Sequence, residues 1–578
     1  MQRYFAAAAE RLAPLVNMEP VAVAGLFGPC PNPEMGDFGM PCFPFAKALK
    51  KAPAAIAQEL AATLGVQAPF VAVTATGPYL NFRIAPASFA NDVLNAARDR
   101  AKPWGSGTSG AGKTVLVDYS SPNIAKPLAI HHIRSTIIGA ALARLYALSG
   151  WNVERVNHLG DWGTNFGQLM VSYKKEEAAG KSVDIHELLR LYIRFHQDAA
   201  DDESLQGEAK AWFVKLEQGD AEARRLWKIF CDESLKSFQA LYKKLNVGFD
   251  HYIGESFYND LIDATLQRIA DKGLSEMSEG ALVVKFPEAD NMPPCLLRKQ
   301  DGSTLYATRD LAAAEYRHGR FGFDKCLYVV ANQQELHFRQ VFGVLKRMGY
   351  AWADGMEHVK FGMLSFGEGV FEDGVRVTGS TRKGRIVFLE DVLEKAKARA
   401  KDLILENARD DEVRAGAEAL AETIGTGAVI FNEFIQRRMK DVIFTWDRAL
   451  NLQGDSGPYL QYTHARLSSV LRKYGAALPE TIDFSPLATP VELDVVRCIA
   501  RFPEVVERAT RDCEPAMVAE YLLGLSAEFN RFFTDKANHR IIGDDAALTV
   551  ARVGLTDAVR RVLAVGLGVL GLDAPERM

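Results

Sequence analysis

The sequence predicts a multidomain protein in which a doubly wound, parallel α/β domain stands between a small α/β module and a helical bundle. Strand and helix signals alternate from residue 114 to about 390, the pattern of a parallel sheet with crossover helices. From about 391 to Met578 the strand signals vanish, which predicts an all-α region. A chain of 578 residues is also too long for a single hydrophobic core.

The N-terminal region, residues 1–105, is predicted to be a small α/β module. Helical patterns cover the first fifteen residues and residues 45–65, and short strand patterns follow at 70–77 and 79–84. The start of the chain carries charged residues and lacks a sustained apolar run, so we interpret it as an amphipathic helix and not as a signal peptide.

A Gly/Ser-rich stretch at 101–113 is predicted to be a linker. Within it, Gly107 to Thr114 satisfies the phosphate-binding P-loop pattern G-x-x-x-x-G-K-[ST]. That loop works only between a preceding strand and a following helix, and here a strand pattern follows. We therefore favour the linker interpretation.

The segment 118–139, DYSSPNIAKPLAIHHIRSTIIG, is the most informative part of the chain. A buried strand pattern precedes it, apolar residues at helical spacing follow from Ile130, and a polar turn with one lysine and two histidines lies between. The N-terminus of a helix presents free N–H groups and a positive dipole end to phosphate. The segment therefore predicts a nucleotide site at the first crossover of a parallel sheet.

The parallel domain is predicted to span 106–390, with a helical insertion at about 175–250. Its further strand patterns are at 152–160, 281–286 and 325–330.

Composition excludes several classes of protein. The net charge of −5 is not that of a general nucleic-acid binder, so a polyanion would have to meet local basic patches. The seven cysteines are scattered without a CxxC pair, which favours a reduced cytosolic compartment and no structural zinc. No apolar run approaches membrane-spanning length.

Six blocks in order resemble arginyl-tRNA synthetases of class I: SSPNIAKP with HHIRSTIIG, NHLGDWGTNFG, TLYATRDLAAAEYR, NQQELHFRQVF, STRKGRIVFLEDVL and DSGPYLQYTHAR. The resemblance implies a Rossmann-like catalytic domain at 106–390, an N-terminal tRNA-binding module and a helical anticodon-binding domain at 391–578. The implied activity is the ATP-dependent formation of arginyl-adenylate, followed by transfer to the 2′-hydroxyl of the terminal adenosine of tRNA-Arg.

The first class signature, His-x-Gly-His, falls on residues 129–132, where only His132 is retained. The resemblance implies that His132 contacts ATP and leaves His131 to take over the lost donor role. The alternative is that the histidine pair merely decorates a helix start. Gly160, Asp161 and His337 are further candidate ATP contacts, although the Asp161 segment is equally a tight turn.

The second signature, Lys-Met-Ser-Lys-Ser, aligns with residues 378–382, where both lysines are absent. Departure of pyrophosphate needs cations on the phosphates, since charge builds there in the transition state. The resemblance implies that Lys126 replaces a missing lysine and that Ser380, Arg382 and Lys383 supply the loop. A solvated basic loop is the alternative.

The implied amino-acid pocket must hold a planar guanidinium, which calls for carboxylates and an aromatic hydroxyl. Tyr306 and Asp310 match the family's pocket and would share one helix face if a helix starts near Tyr306. The remaining candidates are two carboxylates and two residues for the α-amino and α-carboxylate groups: Asp118, Glu255, Asn123 and Gln334.

Candidate tRNA contacts stand close together as Tyr459, Tyr462, His464 and Arg466. Unstacked bases are recognised by aromatic stacking and hydrogen bonds, while arginine meets phosphate. Core or interdomain aromatic residues are the alternative interpretation.

The expected partners are tRNA-Arg, L-arginine and ATP with Mg²⁺, and the expected protein is a cytoplasmic monomer that binds neither DNA nor membranes. Because both class signatures are degenerate, a non-catalytic paralogue that binds tRNA or arginine is the alternative. A cysteinyl enzyme would want a metal-ligand cluster, and the sequence shows none.

Overall fold

The computed structural model describes residues 1–177, 183–367, 387–408 and 411–578. Within these ranges the strands are β1 (Gly28–Pro29), β2 (Phe38–Pro41), β3 (Phe70–Thr76), β4 (Tyr79–Ile84), β5 (Thr114–Asp118), β6 (Asn152–Asn157), β7 (His251–Tyr252), β8 (Ser275–Ser278), β9 (Ala281–Val284), β10 (Cys295–Arg298), β11 (Lys325–Ala331), β12 (Met356–Phe361), β13 (Leu364–Phe366) and β14 (Val442–Phe444).

The helices of the first 350 residues are α1 (Gln2–Val16), α2 (Pro20–Ala24), α3 (Ala46–Leu49), α4 (Pro53–Leu64), α5 (Pro86–Ala97), α6 (Ile133–Leu148), α7 (Thr164–Glu177), α8 (Ile185–Asp201), α9 (Ser204–Glu217), α10 (Ala221–Lys244), α11 (Ile262–Asp271), α12 (Tyr306–Phe321) and α13 (Glu335–Arg347). Those that follow are α14 (Leu389–Asn407), α15 (Asp411–Ala415), α16 (Ala417–Asn432), α17 (Trp446–Ala449), α18 (Gly457–Tyr474), α19 (Pro490–Arg511), α20 (Ala516–Thr534) and α21 (Ala546–Leu570).

The N-terminal module is built on an antiparallel sheet of order β1-β2-β4-β3. Its core contains a cluster of phenylalanines in which Phe38 stacks on Phe82 at 5.1 Å between ring centres. Phe27 and Phe70 meet Phe82 edge-on. The predicted α/β module is confirmed, since both predicted strands lie in this sheet as β3 and β4.

The central sheet has the order β12-β11-β5-β6-β7, and all of its pairings are parallel. This confirms the predicted doubly wound domain. Helix α6 connects β5 to β6, and the insertion α7 to α10 separates β6 from β7. Strand β5 is the middle strand, so Val115, Leu116 and Val117 are buried on both faces.

The predicted strand at 281–286 belongs to another sheet, which corrects its assignment to the parallel one. It forms β9 of an antiparallel sheet of order β10-β9-β8. Strands β8 and β9 are joined by Glu279 and Gly280, both with positive φ (50° and 79°). A two-residue turn with both residues in the left-handed region has the twist that an antiparallel hairpin needs. The turn between β8 and β9 therefore decides that β9 pairs with β8.

The described part of the region 391–578 is helical as predicted, apart from its loops and one short strand. Residues 442–444 form β14, which pairs in parallel with β13. The tripeptide Val-Ile-Phe is rich in β-branched and aromatic side chains, and it was too short to give a strand pattern. The region contributes to two compact units: Met1–Trp104 with Leu467–Glu504 and Gly524–Val562, and Gly105–Arg466 with Val505–Leu523 and Leu563–Met578.

The P-loop-like segment does not have the geometry of a P-loop. Its last residue, Thr114, begins β5, and the N–H groups of Gly107 and Gly110 donate to the carbonyls of Leu148 and Ser149, so they do not form a phosphate cradle. No helix in the described ranges is both long and apolar enough to span a bilayer.

Candidate active site

The turn that follows β5 is held in an unusual backbone conformation. Ser120, Ser121 and Ala125 have φ values of 70°, 48° and 62°. Left-handed conformations cost L-residues about 1–2 kcal/mol each, so the surroundings must fix them. They do: Ser135 Oγ accepts a hydrogen bond from Ser120 N at 2.9 Å, and Ser234 Oγ accepts one from Ala125 N at 2.8 Å.

The two histidines lie in a single helical turn, Ile130–His132, that leads into α6. Their ring centres are 4.1 Å apart. Burial lowers the pKa of His132 to about 3, with further contributions from His131 and Lys126, so its ring is neutral. His132 Nδ1 lies 3.1 Å from both the N and the O atom of Ala129, so the ring is held by the backbone of its own turn through that nitrogen.

A cavity of about 590 Å³ opens beside these histidines. Its walls come from the turn after β5, the start of α6, the carboxyl end of β11 and residues 361–366. Most of the lining side chains are aliphatic or aromatic, among them Ile130, Val330 and Phe361. A cavity of this kind at the carboxyl edge of a parallel sheet suits a flat heteroaromatic ring, with phosphates directed towards the helix start.

The histidine segment is hydrogen-bonded to a distant part of the chain. Ile130 N donates to Val387 O at 3.0 Å, Leu389 N donates to Leu128 O at 2.9 Å, and Ala129 pairs with Phe388. Of the predicted residues on the preceding stretch, Ser380, Arg382 and Lys383 lie outside the described residues. Residues 387–389, which come after the second signature in the sequence, therefore pair with the segment that carries the first signature.

Lys126 is half-buried in the turn between β5 and α6. Its ammonium lies 4.6 Å from the centre of the Tyr192 ring on α8. It is close enough to His132 to help lower the pKa of that imidazole. Lys126 and His132 are thus brought together, as the sequence predicted for a phosphate site.

A second group of predicted residues lies on α12 and α13. Helix α12 begins at Tyr306, so Tyr306 and Asp310 occupy one helix face, and the Tyr306 side chain is exposed. Asp310 Oδ2 is 2.6 Å from His337 Nε2. His337, a candidate ATP contact, therefore supports the carboxylate of Asp310.

Glu255 is half-buried in the turn after β7. Burial raises its pKa to about 7, with Asp310 and Asp161 raising it further and Arg309 opposing the shift. Asp161 holds this turn: Ser256 N and Ser256 Oγ donate to its two carboxylate oxygens at 2.8 and 2.6 Å. Burial also raises the pKa of Asp161. Asp161 therefore orients Glu255, and its candidate role in binding ATP loses support because both oxygens are engaged.

Asn123 and Gly160 lie side by side on neighbouring strand ends. They form a parallel bridge, and Gly160 N donates to Pro122 O at 3.0 Å. A Cβ at position 160 would lie 2.1 Å from Asn123 Oδ1, so the close approach requires glycine. Gln334 ends a short helical turn after β11 and is exposed.

The position of Asp118 does not match the sequence-based expectation that this carboxylate contacts the substrate arginine. Its Oδ2 is 2.8 Å from Arg317 Nη1, and both side chains are almost fully buried, with exposed fractions of 5% and 1%. The Arg317 guanidinium also lies over the rings of Tyr258 and Tyr328. Asp118 is thus occupied by a guanidinium of the protein itself. Sequence reasoning missed Arg317, although its spacing of seven residues from Asp310 on one helix was a usable signal.

The four candidate RNA contacts lie on α18. Tyr459, Tyr462 and Arg466 follow helical spacing along one side, and Tyr462 is 42% exposed. His464 is 2% exposed, with Nδ1 2.9 Å from the carbonyl oxygen of Pro575. A residue that is buried against the C-terminal segment is poorly placed for a base contact. The candidate tRNA-binding surface is therefore reduced to Tyr459, Tyr462 and Arg466.

Among the described residues, no group of three or more His, Cys, Asp or Glu side chains could hold a metal ion.

Comparison with known families matches this arrangement. The profile described as "tRNA synthetases class I (R), catalytic domain" matches residues 100–446. The "Arginyl tRNA synthetase N terminal domain" matches 1–84, and the "DALR anticodon binding domain" matches 460–578. The parallel sheet and the helix-start histidine site thus define a class I aminoacyl-tRNA synthetase.

Individual proteins give the same result. The chain is 44% identical to an arginine–tRNA ligase of Alkaliphilus metalliredigens over 550 residues, which is 95% of this chain and 94% of that protein. It is 40% identical to one of Clostridium beijerinckii over the full length of both chains. The solved structure of Thermus thermophilus arginyl-tRNA synthetase is similar with a TM-score of 0.80, 26% identity and full coverage of both chains. The chain belongs to the arginyl-tRNA synthetase family.

Proposed function

We infer that this chain is an arginine–tRNA ligase. The observation that carries the inference is a set of carboxylates, Asp310 and Glu255, at the edge of the same domain that holds the nucleotide cavity. Such a set matches the charge and the planar fork of a guanidinium, and the family membership points to the same amino acid.

In the proposed reaction the carboxylate of arginine attacks the α-phosphorus of Mg²⁺–ATP, forming arginyl-adenylate and releasing pyrophosphate. The 2′-hydroxyl of the terminal adenosine of tRNA then attacks the acyl carbon, and AMP leaves. Neither step needs a covalent nucleophile from the protein, so catalysis depends on positioning and charge stabilisation.

We propose roles for ten of the candidate residues. Lys126 and the neutral His132 contact the phosphates, and the cavity beside them holds adenine. Tyr306, Asp310 and Glu255 receive the guanidinium. Asn123 and Gln334 bind the α-amino and α-carboxylate groups, and Tyr459, Tyr462 and Arg466 contact tRNA. We further propose a monomer that acts in the cytoplasm, consistent with seven cysteines that form no disulfide bond.

The test is ATP–pyrophosphate exchange that depends on arginine, measured with and without cognate tRNA. We expect exchange with tRNA present. A protein that binds tRNA and arginine but shows neither exchange nor charging would be a non-catalytic relative. Lys126→Ala should reduce adenylate formation far more than tRNA affinity, and equal losses in both would contradict its role at the phosphates.

A further inference from the structure

The helical insertion reaches the phosphate side of the site. Two of its helices contact the Lys126 turn: Ser234 on α10 fixes the backbone through Ala125 N, and Tyr192 on α8 faces the ammonium of Lys126 at 4.6 Å. The hydroxyl of Ser234 is itself directed by the carbonyl of Phe230, to which it donates at 2.6 Å.

The same helix α8 contacts the segment that pairs with the histidines. The His186 ring meets the Phe388 ring edge-on at 5.8 Å between centres, and His186 Nε2 is 3.7 Å from Glu390 Oε2. Phe388 is the residue that pairs with Ala129. Helix α8 thus contacts both Lys126 and the Phe388 segment that pairs with Ala129.

We propose that Tyr192 is a positioning residue that holds the Lys126 ammonium for the phosphates of ATP. Lysine carries its charge on a long flexible stem, and ordering that stem opposes binding. An aromatic face attracts the ammonium without adding a negative charge that would compete with an anion for it. The Tyr192 ring is itself oriented by His196, whose ring lies edge-on at 4.6 Å.

The inference rests on the proposed function, because it takes Lys126 to act on ATP. The experiment compares Tyr192→Leu, which removes the ring, with Tyr192→Phe, which keeps it, in arginine- and tRNA-dependent pyrophosphate exchange. A partly buried cation–π contact predicts that Tyr192→Leu lowers kcat/KM for ATP by about 5- to 30-fold. Tyr192→Phe should stay within about twofold of the wild type, and KM for arginine should not change.

A matched control exists in the same insertion. Lys215 Nζ lies 4.6 Å from the ring centre of Trp212 on α9, so Trp212→Leu removes an equivalent contact. It should leave kcat/KM for ATP near the wild-type value. If Tyr192→Leu does not fold, Tyr192→Met supplies a second variant without the ring.

The decisive measurement combines Tyr192→Leu with Lys126→Ala. If Tyr192 acts through Lys126, the double variant should be no slower than Lys126→Ala alone. The inference would be overturned if the losses in kcat/KM from Tyr192→Leu and Lys126→Ala multiplied in the double variant. It would also be overturned if Tyr192→Phe lowered kcat/KM as much as Tyr192→Leu. A wild type without exchange would instead refute the proposed function, and an unimpaired Lys126→Ala would refute the role of Lys126. In both cases Tyr192 would have nothing to position.

Discussion

The proposed contact of Glu255 with the guanidinium, together with its raised pKa, predicts that arginine binding depends on pH. Burial places this pKa near 7, so the free enzyme holds Glu255 protonated below that pH and ionised above it. Only the ionised form pairs with a guanidinium. The apparent dissociation constant equals the intrinsic one divided by the ionised fraction, which rises from about one-eleventh at pH 6 to about ten-elevenths at pH 8. KM for arginine should therefore fall about tenfold over this range.

The measurement is KM for arginine in tRNA-dependent exchange from pH 6 to pH 8, in the wild type and in Glu255→Gln. The variant should bind arginine more weakly at pH 8 and lose most of the pH dependence. Whatever slope the variant keeps measures the contribution of groups other than Glu255. A slope in Glu255→Gln equal to that of the wild type would refute the assignment. KM for ATP in the same samples controls for general effects of pH.

The same pKa predicts a change in stability. A carboxyl group whose folded pKa exceeds its unfolded value costs stability once pH rises above the unfolded pKa, and the full cost is reached above the folded pKa. For Glu255 that window runs from about 4.5 to about 7. Glu255→Gln should therefore raise the free energy of unfolding at pH 8 by up to roughly 3 kcal/mol, with no gain at pH 4. Urea unfolding at both pH values measures this, and a gain that is equal at both would contradict the reasoning.

Two further substitutions test the packing around the pocket. Gly160→Ala places a methyl group 2.1 Å from Asn123 Oδ1 and should raise KM for arginine by displacing that side chain, while Gly207→Ala, which meets nothing within 4 Å, should have no effect in the same exchange assay. Arg317→Met leaves Asp118 buried without its ion-pair partner and should lower the free energy of unfolding by about 3–5 kcal/mol. Adding Asp118→Asn should recover part of that loss in urea unfolding, and a double variant less stable than Arg317→Met would contradict the pairing.

The sequence predicts the helices and strands of this fold better than it predicts which strands pair with each other. Alternating strand and helix patterns were enough for the parallel sheet, because its two central strands, β5 and β11, are mostly apolar and buried. Residues 281–286 have the same apolar character, yet they form an antiparallel hairpin because Glu279 and Gly280 make a tight left-handed turn. A hydrophobic pattern predicts that a segment is a strand, while the adjoining turn decides which strand it pairs with.

In the candidate site, too, some contacts could be predicted from the sequence and others could not. Tyr306 and Asp310 could be placed together from the sequence, since four residues along one helix fix their relative positions. The ion pair of Asp118 with Arg317 could not, because it depends on how α12 packs against β5. The burial of His464 could not be predicted either. Its neighbours in the sequence are polar and aromatic, but its ring lies against the carbonyl of Pro575, 111 residues further along the chain.

The order of strands in the central sheet also bears on how the protein is made. Strand β5 lies between β6, which follows it closely, and β11, whose preceding residue Asp324 accepts a hydrogen bond from Thr114 at a separation of 210 residues. At ribosomal rates of about 5–20 residues per second, the apolar edge of β5 that faces β11 stays unpaired for roughly 10–40 s. During that time it is a template for pairing with other chains. The strand that ends at Asp118 is thus the part of the nascent chain most in need of protection before residue 331 has been synthesised.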